Sequence, residues 1–273
     1  MNRKQYWRVG LFAGSWLIGM GHRHRGSRPV ALGERRSDCH YAARPTLLIP
    51  GWGGQAGTYR GFIRWSTHQR LAHPALVVHV DHFGRRHWRG EWDGQATNPL
   101  VQVLFDHAWT RTYEPQIRWL TGVLSDLSQL YGVTSFNAVA HSWGGSALIH
   151  SVFAAQSTGQ LPQLHQLLLL GAPVDESPRD APPDAAFRRL AALKTDLDHL
   201  RGGRVLNVYG TLGGRLTDGA VPVSQITPLR RVVAQSPLVY REHEVVGIGH
   251  SRLHSARQMW VLISQWLWLS TGD

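Results

Sequence analysis

The stretch "FNAVAHSWGGSALIH", Phe136–His150, runs apolar into a histidine, a serine and a tryptophan, meets two glycines, and turns apolar again. Two readings fit it. In one, a buried strand turns sharply into a helix and holds the Ser142 hydroxyl out at the corner. In the other, an ordinary strand–turn–helix carries a serine with no special task. The core of the stretch, Ala140–Gly144, has the form small–x–Ser–x–small. A serine at such a corner sits in a strained conformation, and strand and helix backbones nearly touch there. The residues two before and two after it must therefore be small. Gly144 meets that need fully and Ala140 meets it with one extra methyl. The helix would aim its N-terminus at the corner, and the Trp143 N–H would be free to bind a developing oxyanion. His141 and Trp143 either shape a pocket or serve packing.

The surroundings favour the first reading. "TLLI" (46–49), "ALVVHVD" (75–81), "FNAVAH" (136–141), "QLLLLGAP" (166–173), "RVLNVYG" (204–210) and "YREHEVVGI" (240–248) read as strands. Several are continuously apolar, as a parallel sheet covered on both faces requires. Between Thr112 and Tyr131, apolar residues at Ile117, Leu120, Val123, Leu124, Leu127 and Leu130 form one helical stripe, ended by Gly132. "LHSARQMWVLISQWLWLS" at the end is helical by the same spacing. The alternation predicts an α/β fold: a mostly parallel central sheet with helices on both faces. Two pieces are additions to it. Strand segments are expected over 85–106, with turns at Asp93-Gly94 and Asn98-Pro99. A polar, proline-bearing stretch and a helix over 174–203 form a short partial lid.

A serine hydroxyl is a weak nucleophile until a base takes its proton, and the base needs an acid to orient it. At a corner of this kind the chain order is serine, acid, histidine. "RVLNVYGTLGGRLTDGAVP" puts Asp218 beyond the strand two after the corner, with Asp175 after "LLLLGAP" as the rival. Asp218 also reads as a plain turn aspartate before Gly219. "VVGIGHSRLH" puts His250 between the last strand and the last helix, flanked by His243 and His254. Sixteen histidines make any one of them unremarkable, so position alone selects His250. Ser251 supports it or caps the helix. A second oxyanion donor is expected from "LLIPGWGG" (47–54), where glycines at 51, 53 and 54 let the backbone approach a substrate; the main-chain N–H of Trp52 is the candidate.

Composition bounds the rest. At 273 residues, 42% hydrophobic and 17% charged, the chain is globular and can form a single domain over 30–273. One cysteine, Cys39, excludes an internal disulfide framework. The formal charge is +11, mostly arginine, clustered at 23–28, 85–89 and 230–231. No zinc spacing, RNA-binding signature or basic helix accompanies it, so the charge reads as a surface suited to an anionic envelope or membrane, with no specific nucleic acid. At the start, Arg3, Lys4 and Arg8 precede the uncharged run Val9–Gly21, like the two opening regions of a secretory signal. Residues 1–29 are thus expected to be a signal or anchor with a basic flank, and the protein to be cell-surface, membrane-associated or secreted. The basic "HRHRGSR" that follows keeps a cytoplasmic location open.

With "IPGWGG", "NPLVQVLFD", "AHSWGG", "GAPVD", "TDGAVPVSQ" and "GHSRLH" in that order, the chain resembles the α/β-hydrolase superfamily from about Arg44 onward. More closely, it resembles a bacterial family often labelled cell-surface hydrolases of Gram-positive bacteria. The resemblance implies Ser142, Asp218 and His250 as a triad and the extra strand segment around Asn98–Asp106. The sequence departs from the family pattern at Pro50, where histidine is common, and at Ala140, where glycine is. The expected activity is hydrolysis of a small-molecule or lipid-like ester by a serine carboxylesterase needing no metal or organic cofactor. An acyltransferase with the same triad, or an envelope-binding module on the same fold, are the alternatives.

Overall fold

The computed structural model describes residues 29–154, 161–178 and 180–270. The leader expected over 1–29, with the first arginine cluster, falls almost wholly outside the described residues. Eight strands form one sheet: β1 (Thr46–Ile49), β2 (His73–Val80), β3 (Arg86–Gly90), β4 (Pro99–Phe105), β5 (Ser135–His141), β6 (Gln163–Leu170), β7 (Arg204–Thr211) and β8 (Val239–Val246). Their order is β3-β2-β4-β1-β5-β6-β7-β8. Only β3 runs antiparallel, against β2; every other neighbour is parallel. The strand segments expected over 85–106 are β3 and β4, and β4 lies within the sheet between β2 and β1.

Parallel strands cannot be joined by tight hairpins, so helices cross over and cover the faces. They are α1 (Gly57–His68), α2 (Glu114–Tyr131), α3 (Ser142–Phe153), α4 (Ala185–Ala192), α5 (Val223–Ile226), α6 (Leu229–Val233), α7 (Arg252–Ser255) and α8 (Arg257–Leu267). Successive side chains of a strand point to opposite faces, and with both faces covered the inner strands are mostly apolar. In β6, Leu167 and Leu169 pack with α2, α3, α4 and α6, whereas Leu168 and Leu170 pack with α1, α7 and α8. Fully burying each such leucine is worth about 1.5–3 kcal/mol.

Sequence and structure part at several places. The apolar run ending at Pro173 leaves the sheet at Leu170, because Gly171 takes φ 60 and turns the chain. The closing helix is two, α7 and α8, since Ala256 adopts an extended ψ of 140 between them. The stripe of α2 stops short of Leu130, which is exposed in the last turn. Gly132 does end that helix, at φ 65, and Val133 N–H bonds back to the Leu127 carbonyl. In the 174–203 segment, Phe187 and Leu190 of α4 bury into the core beside α6. Cys39 is buried and free.

Candidate active site

The parallel strands of the sheet end at one edge, and the turn from β5 into α3 lies there. Ser142 sits in it with φ 51, a left-handed conformation costing an L-residue roughly 1–2 kcal/mol. Sterics explain the small neighbours. A side chain on Gly144 would meet the Pro50 carbonyl oxygen at 2.1 Å, and one on Gly145 would meet the Ala172 methyl at 2.7 Å. Ala140, last but one in β5, is fully buried with its methyl accommodated. The β1–α1 loop closes on the corner from the other side: a Cβ on Gly51 would lie 2.9 Å from the Ser142 Cβ. The main chain leading to Trp52 therefore runs beside the serine. Trp143 is the second residue of α3, within the first turn, where N–H groups have no partner inside the helix.

Asp218 and His250 come together although they stem from different loops. His250 Nδ1 lies 2.6 Å from Asp218 Oδ2, with the carboxylate side chain fully buried and the imidazole 17% exposed. The His250 N–H also donates to the Asp218 carbonyl. Asp218 Oδ1 accepts from the Ala220 and Val221 amides, at 3.0 and 2.7 Å. The aspartate thus forms the turn its sequence suggests and holds the imidazole as well. Burial pushes its carboxyl up, but the hydrogen bonds from His250, Val221 and Ala220 outweigh burial, and the net shift is downward. A carboxylate cannot donate, so Nδ1 carries the proton, and in the neutral imidazole Nε2 keeps its lone pair.

This pair overhangs Gly171, the residue after Leu170, which pairs with His141 across the sheet. A Cβ on Gly171 would lie 3.0 Å from Asp218 Oδ2 and 3.1 Å from His250 Nδ1. The pair therefore stands beside the Ser142 corner. Among the described residues, no hydrogen bond joins the Ser142 hydroxyl to His250; such bonds are often long until a substrate is in place. Asp175, the rival acid, points elsewhere: its Oδ1 accepts from Ser177 and from the Asp184 amide. His243 lies exposed in β8.

Two histidines have partners that sequence reasoning missed. His141 is buried, and its Nε2 donates to the His250 carbonyl at 3.1 Å, tying the base's main chain to the residue before the serine. His254 Nδ1 donates to the Thr58 carbonyl at 2.9 Å. The His141 ring centroid stands 4.5 Å from that of His250 and 4.7 Å from that of His254. Burial, then the neighbouring imidazoles, hold His141 well below its ordinary pKa, so it is neutral at pH 7. No signal in the sequence could have found these bonds, which run to backbone carbonyls of remote segments. Trp143 packs its ring on Tyr113, centroids 4.0 Å apart, and the Tyr113 hydroxyl donates to Glu176 at the start of the 174–203 segment. At the rim, Trp52 and Trp109 are each 54% exposed and meet edge to face at 4.4 Å. The Trp52 indole donates to the Thr110 carbonyl. Beyond Thr110 opens a cavity of about 580 Å³ whose lining includes His82, Arg111, Arg118 and Trp119.

A buried histidine within α3 makes the fold sensitive to acid. Burial, and then Arg189, lower His150 from 6.5 to about 4. Above pH 6.5 the residue is neutral folded or unfolded and stability is unaffected. Below 6.5 the unfolded chain takes a proton that the folded chain refuses until about pH 4, so stability falls through that window, by about 3 kcal/mol in all. In urea titrations, His150→Phe, which keeps a ring beside Tyr113, is expected to remove about that much of the difference between pH 7 and pH 4. An unchanged pH slope would assign the acid sensitivity to other groups.

A mostly parallel sheet with a strained serine between strand and helix, and an aspartate–histidine pair after the last two strands, is the architecture of an α/β-hydrolase. The chain belongs to the family described as alpha/beta hydrolase of unknown function (DUF915), whose pattern it matches over residues 34–270. Among solved structures it is similar to the lin2722 gene product of Listeria innocua. That likeness has 24% identity and a TM-score of 0.74, over 84% of this chain and 95% of the other. It is also similar to a proposed cell surface hydrolase from Lactobacillus plantarum, at 18% identity and a TM-score of 0.67, over 81% and 88%. A comparison with curated proteins gives no match. Among the described residues, no helix is long and apolar enough to cross a membrane.

Proposed function

We propose that the chain is a serine hydrolase that cleaves acyl esters through an acyl-enzyme. Ser142 is the nucleophile, His250 the base and Asp218 the orienting acid, and the main-chain N–H groups of Trp52 and Trp143 form the oxyanion hole. The observation that carries this reading is the 2.6 Å pairing of His250 Nδ1 with the buried Asp218 carboxylate beside a serine held at φ 51. Ser142 Oγ bonds to the ester carbonyl carbon as its proton passes to His250 Nε2. The carbonyl electron pair moves onto oxygen and is held by the two amides. When it returns, the carbon–oxygen bond to the alcohol breaks, and Nε2 gives the proton to the departing oxygen. Water then repeats the sequence and releases the acid and the free serine.

The Trp52–Trp109 pair offers an apolar shelf for one side of the ester, and the basic cavity past Thr110 suits a polar group on the other. A cell-surface setting belongs to the same proposal. It is supported by the likeness to the Lactobacillus protein and by the leader pattern before residue 30. The test is covalent labelling: a fluorophosphonate should add once per chain, mapped to Ser142 by peptide mass. Attachment at another residue, or none under conditions that inactivate a control esterase, would refute the mechanism.

A further inference from the structure

Where the parallel strands begin, at the opposite end of the sheet from Ser142, lies a cavity of about 520 Å³. Arg44 before β1, Arg204 at the start of β7 and Arg241 in β8 line it. Sheet register gathers them: Gln166 pairs with both Asn137 and Arg204, and Leu206 with Arg241. His40 and His165 add two imidazoles, and no aspartate or glutamate is among the described lining residues.

Several arginines elsewhere on the surface do have acidic partners. Arg85 pairs with Asp81, Arg86 with Asp126 and Arg230 with Glu242. Among the described residues, no carboxylate forms an ion pair with Arg44, Arg204 or Arg241. Arg44 Nε donates to the Ser135 hydroxyl, and the Arg204 guanidinium rests 4.5 Å over the Trp266 ring, so both are held in place. Gathering like charges without a counter-ion is unfavourable, and a bound anion would reverse its sign.

The rest of the lining includes polar and aromatic side chains. Trp266, Trp268 and Gln166 are among the lining residues, and their Nε1, Nε1 and Oε1 atoms are buried without a hydrogen-bond partner. Gln166 is only 5% exposed and Trp268 only 3%. Three guanidinium groups exceed what the two oxygens of one carboxylate can use. They match the three terminal oxygens of a phosphate monoester.

We propose that this cavity is a binding site, separate from the serine, for a phosphate monoester. The phosphate sits among Arg44, Arg204 and Arg241, and its organic part lies against Trp266, Leu206 and Leu262. The monoester could be a small soluble molecule or the headgroup of a lipid. Calorimetry on the purified chain at low salt, with butyl phosphate and inorganic phosphate as probes, tests the site. Butyl phosphate should bind more tightly than inorganic phosphate, and Arg204→Gln and Arg241→Gln should each weaken it at least tenfold. Arg241 is exposed on the edge strand, so its variant keeps the fold even if the other does not. Arg188→Gln, an equal charge change at an exposed site on α4, should leave binding unchanged. No heat at about 10 mM of either probe, or equal weakening by Arg188→Gln, would overturn the proposal. Vesicles of phosphatidylcholine with phosphatidic acid identify the source. Sedimentation with them that is lost in Arg241→Gln makes the ligand a lipid headgroup, and butyl phosphate binding without sedimentation makes it soluble.

Discussion

Ser142→Ala should lower kcat/KM for a short-chain nitrophenyl ester by roughly 10⁴- to 10⁶-fold, the range typical of losing an activated serine. The melting temperature should stay within about a degree of wild type. Alanine and serine meet the same steric cost at φ 51, so the substitution removes the hydroxyl without altering what the backbone must do. Ser142→Gly separates these effects further. It should be equally inactive yet more stable by about 1 kcal/mol, because glycine takes a left-handed conformation without penalty. Together the two variants ask whether the strain at this corner serves the hydroxyl. A Ser142→Ala enzyme retaining more than a tenth of wild-type activity would move the chemistry to another residue. A Ser142→Gly protein no more stable than wild type would show the corner to be unstrained.

Much of this architecture was legible because its causes are local. Gly144 must be glycine to clear the Pro50 carbonyl, and that need shows in the sequence as a small residue two after a serine. The apolar run Leu167–Leu170 that ends β6 announces a strand covered on both faces. Asp218 and His250 could be picked out among many carboxylates and imidazoles because chain order and the strand ends left few positions for them. What stayed hidden depends on distant register or on backbone partners. The spacing of apolar residues continues smoothly across Ala256, so nothing in the pattern marks the break between α7 and α8. His141 and His254 bond to carbonyls 109 and 196 residues away. Arg44, Arg204 and Arg241 are isolated in the sequence, outside every arginine cluster, and meet only because strands β1, β5, β6, β7 and β8 begin side by side.

Asp218→Asn should lower kcat by about 10³- to 10⁴-fold with little change in KM, since the change acts on a proton and leaves the contacts intact. The substituted amide is the same size as the carboxylate. Its oxygen can still accept from the Ala220 and Val221 amides, which fixes its NH₂ toward His250. Facing a donor, His250 Nδ1 must become the acceptor, and its proton moves to Nε2. The nitrogen meant to receive the serine proton is then already protonated. Stability should be nearly unchanged, because a neutral amide is easier to bury than a carboxylate and the turn keeps both hydrogen bonds. Asp218→Ala is the contrasting case. It leaves the Ala220 and Val221 amides without an acceptor and should cost about 1–3 kcal/mol for each such group that stays dry. An inactive but stable Asn variant alongside a destabilised Ala variant would separate the aspartate's effect on the imidazole from its service to the turn. An Asn variant within tenfold of wild-type kcat would leave Asp218 as a turn residue alone, and His250 would need another source of orientation.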